Sequence, residues 1–179
     1  SYCLLTLILL DNFWVMNASS KSLALSRTLG GRNLYLIGMM GSGKSSVGPL
    51  LAEELAYRFV DSDSVIEKTT GKDITNIFLE DGEIEFREIE RQVLNAIGQR
   101  HSLVVATGGG VVIKPENWGV LHHGIVIWLD TKSDVILARL EKDPGHRPLL
   151  QGNDFETLLL ERKQFYLEAD LQIKIDEES

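Results

Sequence analysis

The stretch GMMGSGKSS, residues 38–46, constrains the fold of this chain more than any other. It follows the apolar run NLYLI (33–37) and opens a helical period near 43–56. Gly38, Gly43, Lys44 and Ser45 satisfy the spacing G-x-x-x-x-G-K-[ST]. Glycines let successive backbone N–H groups turn inward and form a concave cradle for anionic oxygens. The helix that follows adds its own free N–H groups and the positive end of its dipole. Lys44 brings a point charge to β- and γ-phosphates, and the Ser45 hydroxyl can ligate Mg²⁺. Gly41, Ser42, Gly43, Lys44, Ser45 and Ser46 are therefore the nucleotide-binding candidates.

A phosphate loop of this kind sits between a strand and a helix, and the rest of the chain continues that alternation. NLYLI (33–37), YRFVD (57–61), SLVVAT (102–107), GIVIWLD (124–130) and LQIKID (171–176) are short apolar runs. They read as strands covered on both faces. Helical periods fall near 43–56, 62–70, 74–80, 83–99, 115–121, 132–142 and 154–168. The expected class is α/β, with a parallel sheet between two helical layers. Pro49 interrupts the first of these helices and removes one hydrogen bond, which predicts a slight kink. The Pro/Gly-rich stretch KDPGHRPLLQGND (142–154) is a candidate mobile loop.

With 179 residues, the chain is long enough for one ordinary domain. A net charge of −8 speaks against a nucleic-acid or anionic-membrane partner, so an anionic ligand needs a local cluster of cations. The one cysteine, Cys3, excludes an intramolecular disulfide, which fits a reducing cytoplasm. CLLTLILL is apolar but too short to span a bilayer, lacks a preceding basic region and is followed by Asp11. The expectation is an extended or disordered tail over residues 1–30, with Met16 a plausible start, followed by one domain over 31–179.

A phosphate loop does not say what receives the phosphate. In FVDSD, Asp61 and Asp63 stand just past the second strand, at the carboxyl edge where open α/β sheets bind ligands. One suits Mg²⁺ and one an acceptor hydroxyl, while Asp63 can instead simply cap the helix that follows. In GEIEFREIERQVL, Phe86, Ile89, Val93 and Ile97 form the buried stripe, placing Arg87 and Glu90 on a less buried side. They make either a surface ion pair or a braced guanidinium aimed at a carboxylate. The glycines of TGGG (107–110), Gly108, Gly109 and Gly110, end a strand where backbone must approach something closely. Arg147, in HRPLL, is either a solvated charge or a lid arginine over the phosphates, and Arg162, in ERKQFY, alone is a surface arginine. The four histidines show no metal-ligand spacing.

Taken in order, GMMGSGKSSVG, FVDSD, GEIEFREIE, TGGG, RPLL and RKQFYLEAD resemble the shikimate kinase family over residues 33–176. LVVATGGGVVIKPENWGVLHHGIVIWLD looks like its cyanobacterial and plastid branch. The resemblance implies a nucleoside-monophosphate-kinase-like three-layer sandwich with a five-stranded parallel sheet in the order 2-3-1-4-5. It also implies ATP-dependent phosphorylation of the shikimate 3-hydroxyl with Mg²⁺, in a cytoplasmic monomer serving chorismate and aromatic amino-acid synthesis. By the same resemblance Asp63 contacts the reacting hydroxyl, Arg87 and Arg162 hold the carboxylate, and Gly109 lines the ring. Glu90 braces Arg87, Ser45 and Asp61 serve Mg²⁺, Arg147 reaches the phosphates together with Lys44, and Arg139 stacks on adenine. The family usually continues with a C-terminal helix beyond the last strand, so this chain is expected to lack it. Competing readings are a related small-molecule kinase, such as one for gluconate, and a non-catalytic nucleotide-binding relative.

Overall fold

The computed structural model describes residues 18–142 and 155–176. Strands β1 (Leu34–Ile37), β2 (Arg58–Asp61), β3 (Leu103–Ala106), β4 (Ile125–Thr131) and β5 (Leu171–Ile175) form one sheet. Its order is β2-β3-β1-β4-β5, with every neighbouring pair parallel. The described helices are α1 (Ala18–Leu29), α2 (Lys44–Leu55), α3 (Ser62–Thr70), α4 (Ile74–Glu80), α5 (Gly82–Gly98), α6 (Pro115–Leu121), α7 (Ser133–Lys142) and α8 (Phe155–Tyr166). A 3₁₀ turn over Val111–Ile113 follows β3.

The two-residue period of the strands divides the core in two. Tyr35 and Ile37 of β1, Val105 of β3 and Trp128 of β4 face one layer, built mainly from α5, α6 and α8. Leu34 and Leu36, Val104 and Ile127 face the other, where Leu51, Ala52 and Leu55 of α2 cover them. Central strands β1 and β3 are buried throughout, as continuous apolar runs in a parallel sheet must be. The edges depart from the expected double cover. β2 is exposed to half-buried, and β5 alternates, with Gln172 and Lys174 facing solvent. Each has only one neighbouring strand, so only part of its surface is enclosed. α2 runs through Pro49 without a break in its assignment.

The expected tail over residues 1–30 is corrected for its described part. Ala18–Leu29 is a helix, and Leu25 and Leu29, one turn apart, join the cluster of Leu51, Ala52 and Leu55. The Ser22 hydroxyl donates to the Glu54 carbonyl on α2. Apolar burial therefore holds α1 on the domain. The expectations for residues 1–17 and for the loop bearing Arg147 lie outside the described residues.

Candidate active site

Parallel strands bring all their carboxyl ends to one edge of the sheet. There the phosphate loop, Asp61, Asp63, the TGGG turn and Ile175 surround a cleft of about 570 Å³. Gly38 adopts φ of 143°, and a Cβ on it would lie 2.8 Å from the Leu129 carbonyl, so only glycine lets the loop leave β1 this closely. Gly43, at φ 103°, starts α2 without a side-chain cap, leaving the first N–H groups of the helix for an anion.

Lys44 is buried, and its Nζ donates to the carbonyls of Gly38 and Met39 at 2.8 Å each and to Ser42 Oγ at 3.3 Å. Burial pulls its pKa down to about 8, against the pull of Asp63 and Asp61 in the opposite direction. Thr131, at the end of β4, donates to the Ser42 carbonyl at 2.8 Å and ties the loop to the sheet. Sequence reasoning passes over Thr131. Its signal is the only hydroxyl in β4, at the strand's carboxyl end.

The two aspartates divide the work that the sequence left open. Asp61 caps α3, with Oδ1 accepting from the N–H groups of Asp63 (3.0 Å) and Ser64 (3.2 Å). Its Oδ2 accepts from Ser45 Oγ at 3.1 Å. Asp63 is therefore released from capping, and its Oδ1 is buried without a partner among the described residues. Burial, then the charges of Asp61 and Glu90, push the Asp63 carboxyl up to about 6, with Lys44 opposing them.

Ser45 and Asp61 offer a hydroxyl and a carboxylate oxygen facing each other, the hard donors that Mg²⁺ takes. Among the described residues there is no cluster of three His, Cys, Asp or Glu side chains suited to a metal. A site with few protein ligands fits Mg²⁺ held jointly with nucleotide phosphates. The donor set thus fits the ion.

Arg87 and Glu90 are not on a less buried side, as the helical stripe suggests. They are 5% and 2% exposed, with Arg87 Nη1 donating to Glu90 Oε1 at 2.7 Å. The reason is tertiary: the TGGG turn packs over them. Burial raises the Glu90 carboxyl despite the neighbouring Arg87, and its Oε2 has no partner among the described residues. Arg162, far from the surface, is 2% exposed, and its Nε and Nη1 lack partners among the described residues. Two unpaired donors in so buried a group leave a site shaped for an anion.

The three glycines now have separate reasons. A Cβ on Gly108 would lie 2.9 Å from both Asp63 Oδ1 and Glu90 Oε2. One on Gly109 would lie 2.9 Å from Arg162 Nη1, and one on Gly110 would collide with the Arg87 guanidinium. Gly108 makes room for two carboxyls and Gly109 and Gly110 for one guanidinium each, so the turn gathers Asp63, Glu90, Arg162 and Arg87 around itself. Arg139 stands on the nucleotide side, where its Nη1 donates to the Gly41 carbonyl at 3.1 Å. Ser46 also lines the cleft, and so does Ile175, which sequence reasoning does not single out. Arg147 lies outside the described residues.

A phosphate loop at the carboxyl edge of a 2-3-1-4-5 sheet, facing a compact slot of buried charges, defines a P-loop small-molecule kinase. A family model described as shikimate kinase matches residues 40–179. Shikimate kinase of Prochlorococcus marinus strain MIT 9211 is 56% identical, over 92% of this chain and 85% of that protein. That of strain MIT 9313 is 59% identical, over 91% and 87%. Among solved structures, shikimate kinase from Acinetobacter baumannii in complex with shikimate aligns with a TM-score of 0.80. It is 40% identical, covering 86% of this chain and 89% of that one. The chain belongs to the shikimate kinase family.

Proposed function

We infer that this chain transfers the γ-phosphoryl group of ATP to the 3-hydroxyl of shikimate, giving 3-phosphoshikimate and ADP in aromatic amino-acid biosynthesis. The observation that carries the reading is the TGGG turn, whose glycines seat two buried guanidinium groups and a buried carboxyl beside the phosphate-loop lysine. An acceptor with a carboxylate at one end and a hydroxyl at the other matches that spacing of charge. Membership of the family supplies its name.

Arg162, with two donors unpaired among the described residues, and Arg87, braced by Glu90, grip the acceptor carboxylate. This turns the hydroxyl toward Asp63 at the far side of the glycines. At neutral pH Asp63, titrating at about 6, is largely ionised and accepts the hydroxyl proton as the oxygen attacks phosphorus. The loop N–H groups and Lys44 hold the transferred phosphoryl group, Lys44 giving up its contacts to the Gly38 and Met39 carbonyls. Ser45 and Asp61 would hold Mg²⁺ together with the phosphates, and the bound ion would supply neutralisation of the charge that develops on their oxygens. Arg139 covers the adenine, and the family resemblance assigns Arg147 to the phosphates. Most of the rate gain is positioning and fixed electrostatics, with positive charge concentrated in one cleft of a chain carrying −8 overall.

No helix among the described residues is long and apolar enough to cross a membrane. We propose a cytoplasmic monomer that uses Mg²⁺ as its metal and binds neither nucleic acid nor membrane. The test is ADP release from MgATP with and without shikimate. Shikimate-dependent release is expected. ATP binding without any stimulation by shikimate would favour the non-catalytic reading, and stimulation by gluconate instead would favour the related sugar-acid kinase.

A further inference from the structure

The phenol of Tyr166, the last residue of α8, lies where three parts of the cleft meet. Its hydroxyl donates to the Gly109 carbonyl at 2.6 Å and sits 3.6 Å from Met39 Sδ in the phosphate loop. Arg162 is one turn earlier on the same helical face. The ring has no exposed surface and stacks on Trp128 of β4, with centroids 5.7 Å apart. It therefore has no room to swing away.

A phenol has one proton to give, and here a carbonyl takes it. Toward Arg162 the same oxygen can then only accept. Burial pushes the phenol up to about 12, against the charge of Arg162, so the proton stays on across the working range. Arg162 is otherwise poorly braced, since Nε and Nη1 have no partner among the described residues. A guanidinium grips a carboxylate well only when its plane is held.

We propose that Tyr166 is a positioning residue for the acceptor. Its hydroxyl holds the Gly109 carbonyl, and a Cβ on that glycine would lie 2.9 Å from Arg162 Nη1, so the phenol fixes the glycine turn against the carboxylate-binding arm. The proposal rests on the shikimate reading above.

The test is Y166F, which keeps the ring and removes the clamp, compared with the wild-type chain and with R162A and the double variant. The expected result is a rise in KM for shikimate of about tenfold, with kcat down by less than about threefold, the size of one lost hydrogen bond in a buried site. KM for ATP should stay within about twofold. In the R162A background the same change should cost less than about twofold, because the clamp acts through that guanidinium. Unchanged KM for shikimate, equal losses for both substrates, full additivity with R162A, or a variant that does not fold would each overturn the proposal and leave the phenol a packing group. A wild-type chain inactive toward shikimate would instead overturn the functional reading, and the inference with it.

Discussion

Asp63→Asn should make this protein inactive and more stable at once. The native carboxyl titrates at about 6 instead of 3.8, chiefly because it is buried, with Asp61 and Glu90 adding repulsion. The folded chain therefore binds more protons than the unfolded chain between about pH 4 and 6. Stability contributed at this site falls as pH rises through that window, and the deficit is complete at neutral pH. At about 1.4 kcal/mol per pH unit, the ionised group costs the fold about 2–3 kcal/mol. Asparagine removes that charge and keeps the shape. Part of the gain is lost, because Lys44 no longer has the Asp63 charge to offset its own burial. A net gain of about 1–2 kcal/mol corresponds to a rise in Tm of about 3–6 °C for a domain of this size. Calorimetric melting at pH 7.5 should show it, and the difference should close toward pH 4, where the native carboxyl is already neutral. Turnover should fall by at least ~10²-fold with ATP affinity intact, the usual loss when a general base is removed. A variant that melts at or below the wild-type temperature at pH 7.5 would refute the claim that the ionised Asp63 is held at a cost. Near-normal turnover would remove it from the proton-accepting role.

Arg87→Lys keeps a charge against Glu90 but loses the planar fork, so shikimate affinity should drop about tenfold and ATP affinity hardly at all. Calorimetric titration with each ligand separates the two, and equal losses would sink the assignment. Because Lys44 titrates at about 8 in the free chain, phosphates placed against it should raise that value, and ATP binding at pH 8 should take up about 0.5 proton. Titration in two buffers of different ionisation enthalpy reads this directly, and no uptake would mean that Lys44 does not meet the nucleotide. Leu29→Ala, in the cluster that docks α1 on α2, should cost about 2 kcal/mol of stability without changing kcat. An unchanged urea midpoint would show that α1 contributes nothing to the domain.

Much of this architecture is legible in the chain because it is set by local pattern. β1 and β3 are unbroken apolar runs and β4 opens with one, as central strands of a covered parallel sheet require. Gly38, Gly43 and Lys44 announce a phosphate loop, since no other use demands that backbone freedom at that spacing. α1 is less legible. Its anchoring residues, Leu25 and Leu29, acquire a purpose only when Leu51 and Leu55 are brought opposite them.

What the sequence by itself determined is the phosphate side and the order of elements, where each residue's role depends on its near neighbours along the chain. The acceptor side was decided by tertiary structure. Arg87 and Glu90 sit on an apparently outward part of α5, and Arg162 reads as a surface charge, until the TGGG turn from β3 closes over all three and excludes water. In the sequence Asp63 is the residue that could cap the following helix. The fold instead makes Asp61 the cap of α3, bonded to Ser45, and buries Asp63 Oδ1 without a partner among the described residues. Burial is a property of what arrives from elsewhere in the chain, and here it turns ordinary charges into a binding site.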